Sequence, residues 1–177
     1  MDHTTYASRL RFLAAGDVDA TVVDYDGLQV EGPDGDRIGD VAGFIVDAQA
    51  GRLHFVVVDS GGWFRSRRFL LPVGHASLSE DPKALCVDVT RSALSRYPAF
   101  DANRFREFSD DDMALFETWM AEVCCPDVPA EPTFGAQRHY AQPNWWSSTT
   151  YTYERLRPVE ADYELLELAG SSAQLAQ

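Results

Sequence analysis

The sequence predicts a mainly β fold, a small barrel or sandwich, followed by short helices and an extended, aromatic-rich C-terminal segment. Three observations support this. Short apolar, β-branched runs recur about every ten residues between positions 21 and 100, and Gly, Pro and Asp separate them. The alternating strand and helix pattern of a nucleotide-binding sheet is missing from the sequence. Helical periodicity begins only after the β region.

The chain has 177 residues, enough for one domain with appendages. We divide it into a lead-in over 1–20, a β domain over 21–100, a helical extension over 101–125, and a Pro- and aromatic-rich segment with a short acidic helix over 126–177. In the lead-in, Leu10, Phe12 and Leu13 fit either one helical turn or a segment that docks on a strand edge.

The β domain contains a series of predicted strands. They are Thr21–Val23, Leu28–Glu31, Ile38–Val41 leading into Phe44–Asp47, Leu53–Val58, Arg68–Leu71 and Ala84–Val89. The Gly-ended loop Ala48–Gly51 joins two β-branched runs and predicts a hairpin. Gly32–Gly35 predicts a turn, because proline presets φ and glycine accepts a positive φ. Pro72 ends a strand because it cannot donate to a ladder.

Two helices are predicted next. Thr90 is a candidate cap for a short helix that Pro98 ends. Ser109 precedes three aspartates, which favour the positive end of a helix dipole, and Pro126 stops this second helix near Cys125. Its apolar face has helical spacing and consists of Met113, Phe116, Met120 and Val123, with Leu115 and Trp119 expected to widen it.

The segment after residue 126 shows little periodicity but is rich in aromatic residues, among them Tyr140, Trp145 and Trp146. So many large aromatics are unusual in a disordered tail. We consider two alternatives for the Trp145–Trp146 pair: the tail docks on the barrel and covers an open strand edge, or the pair contacts another molecule. A short acidic helix is expected over Val159–Ala169.

The β region resembles a PRC-barrel domain, a family named after the H subunit of the photosynthetic reaction centre. The resemblance covers about residues 21–100 and lies in Asp26–Val30, Asp34–Asp47, Val56–Asp59, the Gly61–Phe64 turn and Phe69–Val73. It implies a small, strongly bent β-barrel of about six strands. It also implies a docking or assembly role rather than turnover, and stand-alone bacterial members are associated with stress tolerance.

One segment combines aromatic and basic side chains after a Gly-Gly turn: Trp63, Phe64, Arg65, Arg67 and Arg68. Arg and Trp are favoured anchors at protein interfaces. The segment is therefore a candidate interaction surface. In the alternative, Trp63 and Phe69 pack in the barrel and the arginines stay solvated or pair within the chain.

The charge balance argues against nucleic acid as a partner. The chain has 15 basic and 28 acidic residues, a net charge of -13, and such a field repels phosphate. No apolar run approaches the ~18 residues of a membrane span, and the N-terminus lacks a signal-peptide core. We expect a cytoplasmic protein.

No catalytic, cofactor-binding or metal-binding residues are predicted. The four histidines lack zinc-site spacing, and the Asp24–Gly27 and Asp34–Asp36 turns lack a full calcium loop. Nucleophile-elbow, phosphate-loop and dinucleotide motifs are missing from the sequence.

The leading hypothesis is a non-enzymatic protein-interaction or assembly module that binds a protein partner or forms a homodimer. One alternative is a ligand-binding or catalytic protein with a pocket between barrel and tail. Another is a ribosome-maturation-like accessory that docks a basic protein.

Overall fold

A computed structural model of the chain describes residues 9–19, 23–61, 67–80, 83–101, 107–124, 140–146 and 157–158. Its strands are β1 (Leu10–Ala14), β2 (Gln29–Glu31), β3 (Arg37–Asp47), β4 (Arg52–Asp59), β5 (Arg68–Pro72), β6 (Ala76–Leu78), β7 (Ala84–Val87) and β8 (Arg157–Pro158). Its helices are α1 (Arg91–Leu94) and α2 (Asp110–Cys124).

In these residues the strands form one sheet with the order β5-β4-β3-β2-β7-β6, and β1 pairs with both β3 and β8. Strand β3 has 11 residues, so its first part pairs with β2 and its last part with β1. Register shifts against β4 bend β3 along its length. The predicted mainly β class, with helices after the sheet, is confirmed. The end strands β5 and β6 do not pair with each other within the described ranges, so the sheet is not closed there.

Most predicted strands are present, and the β3–β4 hairpin is confirmed, with Gly51 at a φ of 64°. In the predicted lead-in, residues 10–14 form a strand rather than a helical turn. Strand β6 was not predicted, and β7 ends at Val87 instead of Val89. Of the predicted strand Thr21–Val23, Thr21 and Val22 lie outside the described residues, and Val23 is not in a strand.

The β3–β4 pair lies at the centre of the core, because both of its faces are covered. All residues from Leu53 to Val58 are buried. Successive side chains on a strand point to opposite faces, so Phe44 and Ile45 of β3 face opposite sides. Phe55 of β4 lies opposite Ile45 and shares its face.

Different elements cover the two faces. On one face, the Phe44 ring centroid lies 5.3 Å from that of Tyr25 and 4.8 Å from that of Trp146. On the other face, the Phe55 ring lies 6.0 Å from Phe116 of α2 and 5.3 Å from Tyr140. The C-terminal segment therefore contributes side chains to both sides of the same strand pair.

The predicted caps of both helices are confirmed. The Thr90 hydroxyl accepts a hydrogen bond from the Ala93 N–H at 3.2 Å. At α2, the Ser109 hydroxyl accepts from the Asp112 N–H at 3.2 Å, and the Asp112 carboxylate accepts from the Ser109 N–H at 2.9 Å. The Ser109 N–H and the Ser109 hydroxyl, the latter at 2.7 Å, both donate to the Asp112 carboxylate, and these two bonds lower the pKa of Asp112. Helix α2 ends at Cys124, near the predicted Cys125.

One part of the α2 prediction is wrong. Met113, Phe116 and Met120 are buried as expected, but Leu115 is 71% exposed and Trp119 is 41% exposed. Each helical residue turns by about 100°, so Leu115, two steps after Met113, points away from the buried face. In the described part of the chain, no helix is long and apolar enough to cross a membrane.

Candidate functional site

The β4–β5 connection carries the arginines of the predicted interaction segment. Asp59 and Arg68 are partners in the β4–β5 ladder, and the Arg68 Nε lies 3.9 Å from the Asp59 carboxylate. The Ser60 N–H and hydroxyl donate to the Arg67 carbonyl at 2.9 and 3.0 Å. These contacts fix the two ends of the connection, where β4 stops and β5 begins.

The Arg67 side chain is exposed and lies on an aromatic ring. Its guanidinium carbon is 5.4 Å from the centroid of the buried Phe69. Such a cation–π contact orients the guanidinium at the surface and leaves its N–H groups available. Trp63, Phe64 and Arg65 lie outside the described residues.

The C-terminal segment is anchored to β4 by Gln142. Its side-chain amide donates to the Leu53 carbonyl at 2.7 Å, and its oxygen accepts from the Leu53 N–H at 2.9 Å. Strand β5 pairs only with Phe55–Asp59, so Leu53 lies beyond the end of that partner. Gln142 therefore supplies the hydrogen bonds that β5 does not make with Leu53, and it protects the open edge of β4 at this point.

Trp145 and Trp146 are half-buried against the sheet. The Trp145 Nε1 donates to the Ala76 carbonyl at 3.2 Å, and the Trp145 carbonyl accepts from the Tyr25 hydroxyl at 3.4 Å. Burial raises the pKa of Tyr25 to about 12, so its hydroxyl stays a donor. This placement corresponds to the intramolecular alternative for the tryptophan pair. The tryptophan pair lies beside Tyr25 and Ala76. Arg67 and Arg68 lie at the β4–β5 connection.

A buried polar group that the sequence did not reveal lies at the turn between β3 and β4. Asp47 is 2% exposed, and its carboxylate accepts from the N–H groups of Gln49 and Ala50, both at 3.0 Å. The Arg9 guanidinium lies 3.4 Å from the same carboxylate. Paired in this way, Asp47 fixes the hairpin turn.

His54 lies next to this group and under the C-terminal segment. It is 1% exposed, and its ring makes an edge contact with Tyr140 at 5.2 Å. Loss of hydration lowers the pKa of His54 to about 4; the Asp47 carboxylate opposes this shift, and Arg52 and Arg9 reinforce it. His54 is therefore neutral near pH 7 and has a packing role.

Helix α2 borders an open groove of about 370 Å³, lined by Glu107, Phe108, Asp112, Leu115, Phe116 and Trp119. Phe116 is the floor, with ring centroids 5.8 Å from Phe108 and 6.3 Å from Trp119. The groove combines apolar rings with two carboxylates. Sequence reasoning missed it because it assigned Leu115 and Trp119 to the core.

A second open cavity, of about 410 Å³, lies between the β2–β3 connection and the start of α1. Asp34 and Asp36 border it, but no three His, Cys, Asp or Glu side chains in the described ranges are placed to share a metal ion.

Comparison with known proteins agrees with this architecture. Residues 19–94 match the model of the PRC-barrel domain. A 54-residue stretch is 39% identical to a protein of Deinococcus radiodurans that is described only as uncharacterized, and it covers 30% of this chain and 20% of that relative. The matched domain runs from just before Val23 to the end of α1, so it contains β2 to β7. The chain therefore contains a PRC-barrel domain at residues 19–94.

Proposed function

We propose that this protein is a non-enzymatic docking module that forms a homodimer through the segment Trp63, Phe64, Arg65, Arg67 and Arg68. The observation that carries the proposal is the geometry of Arg67. Its backbone carbonyl is held by Ser60 and its guanidinium rests on Phe69, yet its side chain is exposed. A preorganised arginine loses less entropy on binding than a freely rotating one.

The barrel and the C-terminal segment act as the platform for this docking. Tyr140 is fully buried, and Gln142 holds the segment on β4. Trp145 and Trp146 keep part of their ring surface accessible and serve as a second contact area. In the cell, the dimer would serve the assembly or stress role that the family resemblance implies.

Light scattering coupled to size-exclusion chromatography tests the proposal. The wild type should show twice the chain mass of 19.7 kDa, and Arg67→Glu should show the mass of one chain. Arg96→Glu is the matched control, because Arg96 is exposed and the charge change is the same. A wild type that stays monomeric, or an Arg67→Glu variant that dimerises like Arg96→Glu, contradicts the proposal.

A second candidate function is docking of a basic protein, as in ribosome maturation. The net charge of -13 and the carboxylates of the α2 groove favour it. Affinity capture enriched in basic ribosomal proteins, and lost at high salt, would support this function over self-association.

A further inference from the structure

The exposed face of α2 has the composition of an interface rather than of a solvated helix. Leu115 and Trp119 are four residues apart, and both are exposed over a floor of partly and fully buried phenylalanines. Large apolar side chains exposed side by side mark an interaction site more often than single ones do.

The charge around this groove defines what can occupy it. Glu107 and Asp112 line the groove, and Asp110 and Asp111 begin the same helix. Helix α2, with the sequence DDDMALFETWMAEVC, contains no basic residue. The occupant must therefore bring positive charge to the rim and bulky apolar or planar groups to the floor.

The chain itself carries a segment of this chemistry. Arg65, Arg67 and Arg68 are the densest group of basic residues in the sequence, and Trp63 and Phe64 precede them. Arginine pairs with carboxylates through parallel N–H donors, and its planar face stacks on indole rings. Arg67 already makes a cation–π contact with the Phe69 ring.

We propose that the α2 groove receives the arginine–aromatic segment of a second copy of the chain. This inference rests on the proposed self-association and names its receiving surface. In a two-fold dimer each segment enters the groove of the other copy, so the contact occurs twice and the assembly closes. Glu107 and Asp112 would face the arginines, while Trp119 and Leu115 would pack against their stems and the aromatic rings.

A mixing experiment with two single-site variants tests the inference. Arg67→Glu damages the segment and keeps the groove, whereas Trp119→Ser damages the groove and keeps the segment. Each variant alone should raise the dimer dissociation constant by about thirtyfold or more, measured by sedimentation velocity. Ala114→Ser, an exposed change on α2 that does not line the groove, should leave dimerisation unchanged.

Mixed in equal amounts, the two variants should form a heterodimer, because one intact segment can still meet one intact groove. A fluorescent label on the Arg67→Glu copy reports this species. Far-UV circular dichroism must show that each variant is folded; since both side chains are exposed, we expect no change. Leu115→Ser provides a second groove variant with the same expected behaviour.

Each other outcome overturns the inference in a distinct way. If Trp119→Ser and Leu115→Ser dimerise like the wild type while Arg67→Glu does not, the segment binds another surface and only the proposed function stands. If both variants are monomeric and mixing restores nothing, the segment of one copy does not bind the groove of the other, and the inference is overturned. A monomeric wild type refutes the inference and the proposed function together.

Discussion

Gly43 sets how closely β1 approaches β3. A Cβ at this position would lie 2.5 Å from the Leu13 carbonyl oxygen and 2.7 Å from the Phe12 ring, closer than packed atoms tolerate. We expect Gly43→Ala to destabilise the fold by about 1–3 kcal/mol in urea unfolding. Gly16→Ala is the control, since its Cβ would stand at an ordinary 3.6 Å from the Asp26 side chain. Equal urea midpoints for Gly43→Ala and Gly16→Ala would contradict the close approach of β1 to β3 at Gly43.

His54 makes stability depend on pH. Its pKa falls from 6.5 to about 4 on folding, so the unfolded chain binds more protons between these values. Stability from this residue is fully present above the unfolded pKa and decreases as the pH falls from 6.5 towards 4. The wild type should therefore lose about 2 kcal/mol more than His54→Leu between about pH 7 and about pH 5. If urea unfolding shows that the wild type and His54→Leu lose the same free energy of unfolding over this pH range, His54 is not a buried neutral group.

At the residue scale, the type of a residue and its secondary structure were easier to predict from the sequence than the burial of its side chain. The sequence predicts a strand position for His54, but the Tyr140 ring that covers it belongs to a residue 86 positions later. The exposure of Leu115 and Trp119 was mispredicted because an apolar side chain at a helical position does not by itself reveal which neighbours reach it.

The C-terminal segment from Tyr140 to Trp146 is an element without regular secondary structure that still packs in the core. Its hydrogen bonds at Leu53 replace those of a missing strand partner. We expect Gln142→Ala to destabilise the fold by about 1–3 kcal/mol, because the N–H and the carbonyl of Leu53 both lose their hydrogen bond to the Gln142 side chain. Hydrogen exchange at the Leu53 amide should accelerate in this variant.

Asn144→Ala serves as the control for this element, since Asn144 is exposed and lies in the same segment. It should leave the Leu53 amide protected. Unchanged protection in Gln142→Ala as well would mean that the segment does not hold the β4 edge.

At the element scale, the predictions succeeded where the pattern was local. Alternation and turn glycines identified β2, β3 and β4, and the caps identified both helices. Strands β1 and β6 have five and three residues, too few for alternation to separate them from loops. The Gln142–Leu53 contact spans 89 positions, and no local pattern encodes it.

At the scale of the whole molecule, the net charge opposes self-association, whereas the proposed contact between segment and groove favours it. A net charge of -13 keeps copies apart, so association needs local complementarity strong enough to overcome it. The family resemblance predicted the mainly β domain, because the turns and strands that carry it are encoded in local sequence. The acidic groove was not predicted although its lining residues all lie within positions 107–119, because Leu115 and Trp119 were assigned to the buried face of α2.

The most direct test of docking between copies is a dilution series followed by the tryptophan indole N–H resonances in NMR. With rising concentration, the Trp119 signal, assigned from Trp119→Ser, should shift or broaden. The Trp145 signal should shift less than the Trp119 signal, because the Trp145 N–H stays bonded to the Ala76 carbonyl within the chain. A Trp119 resonance that remains fixed while the others move, or a spectrum that never changes with concentration, would contradict docking through this surface.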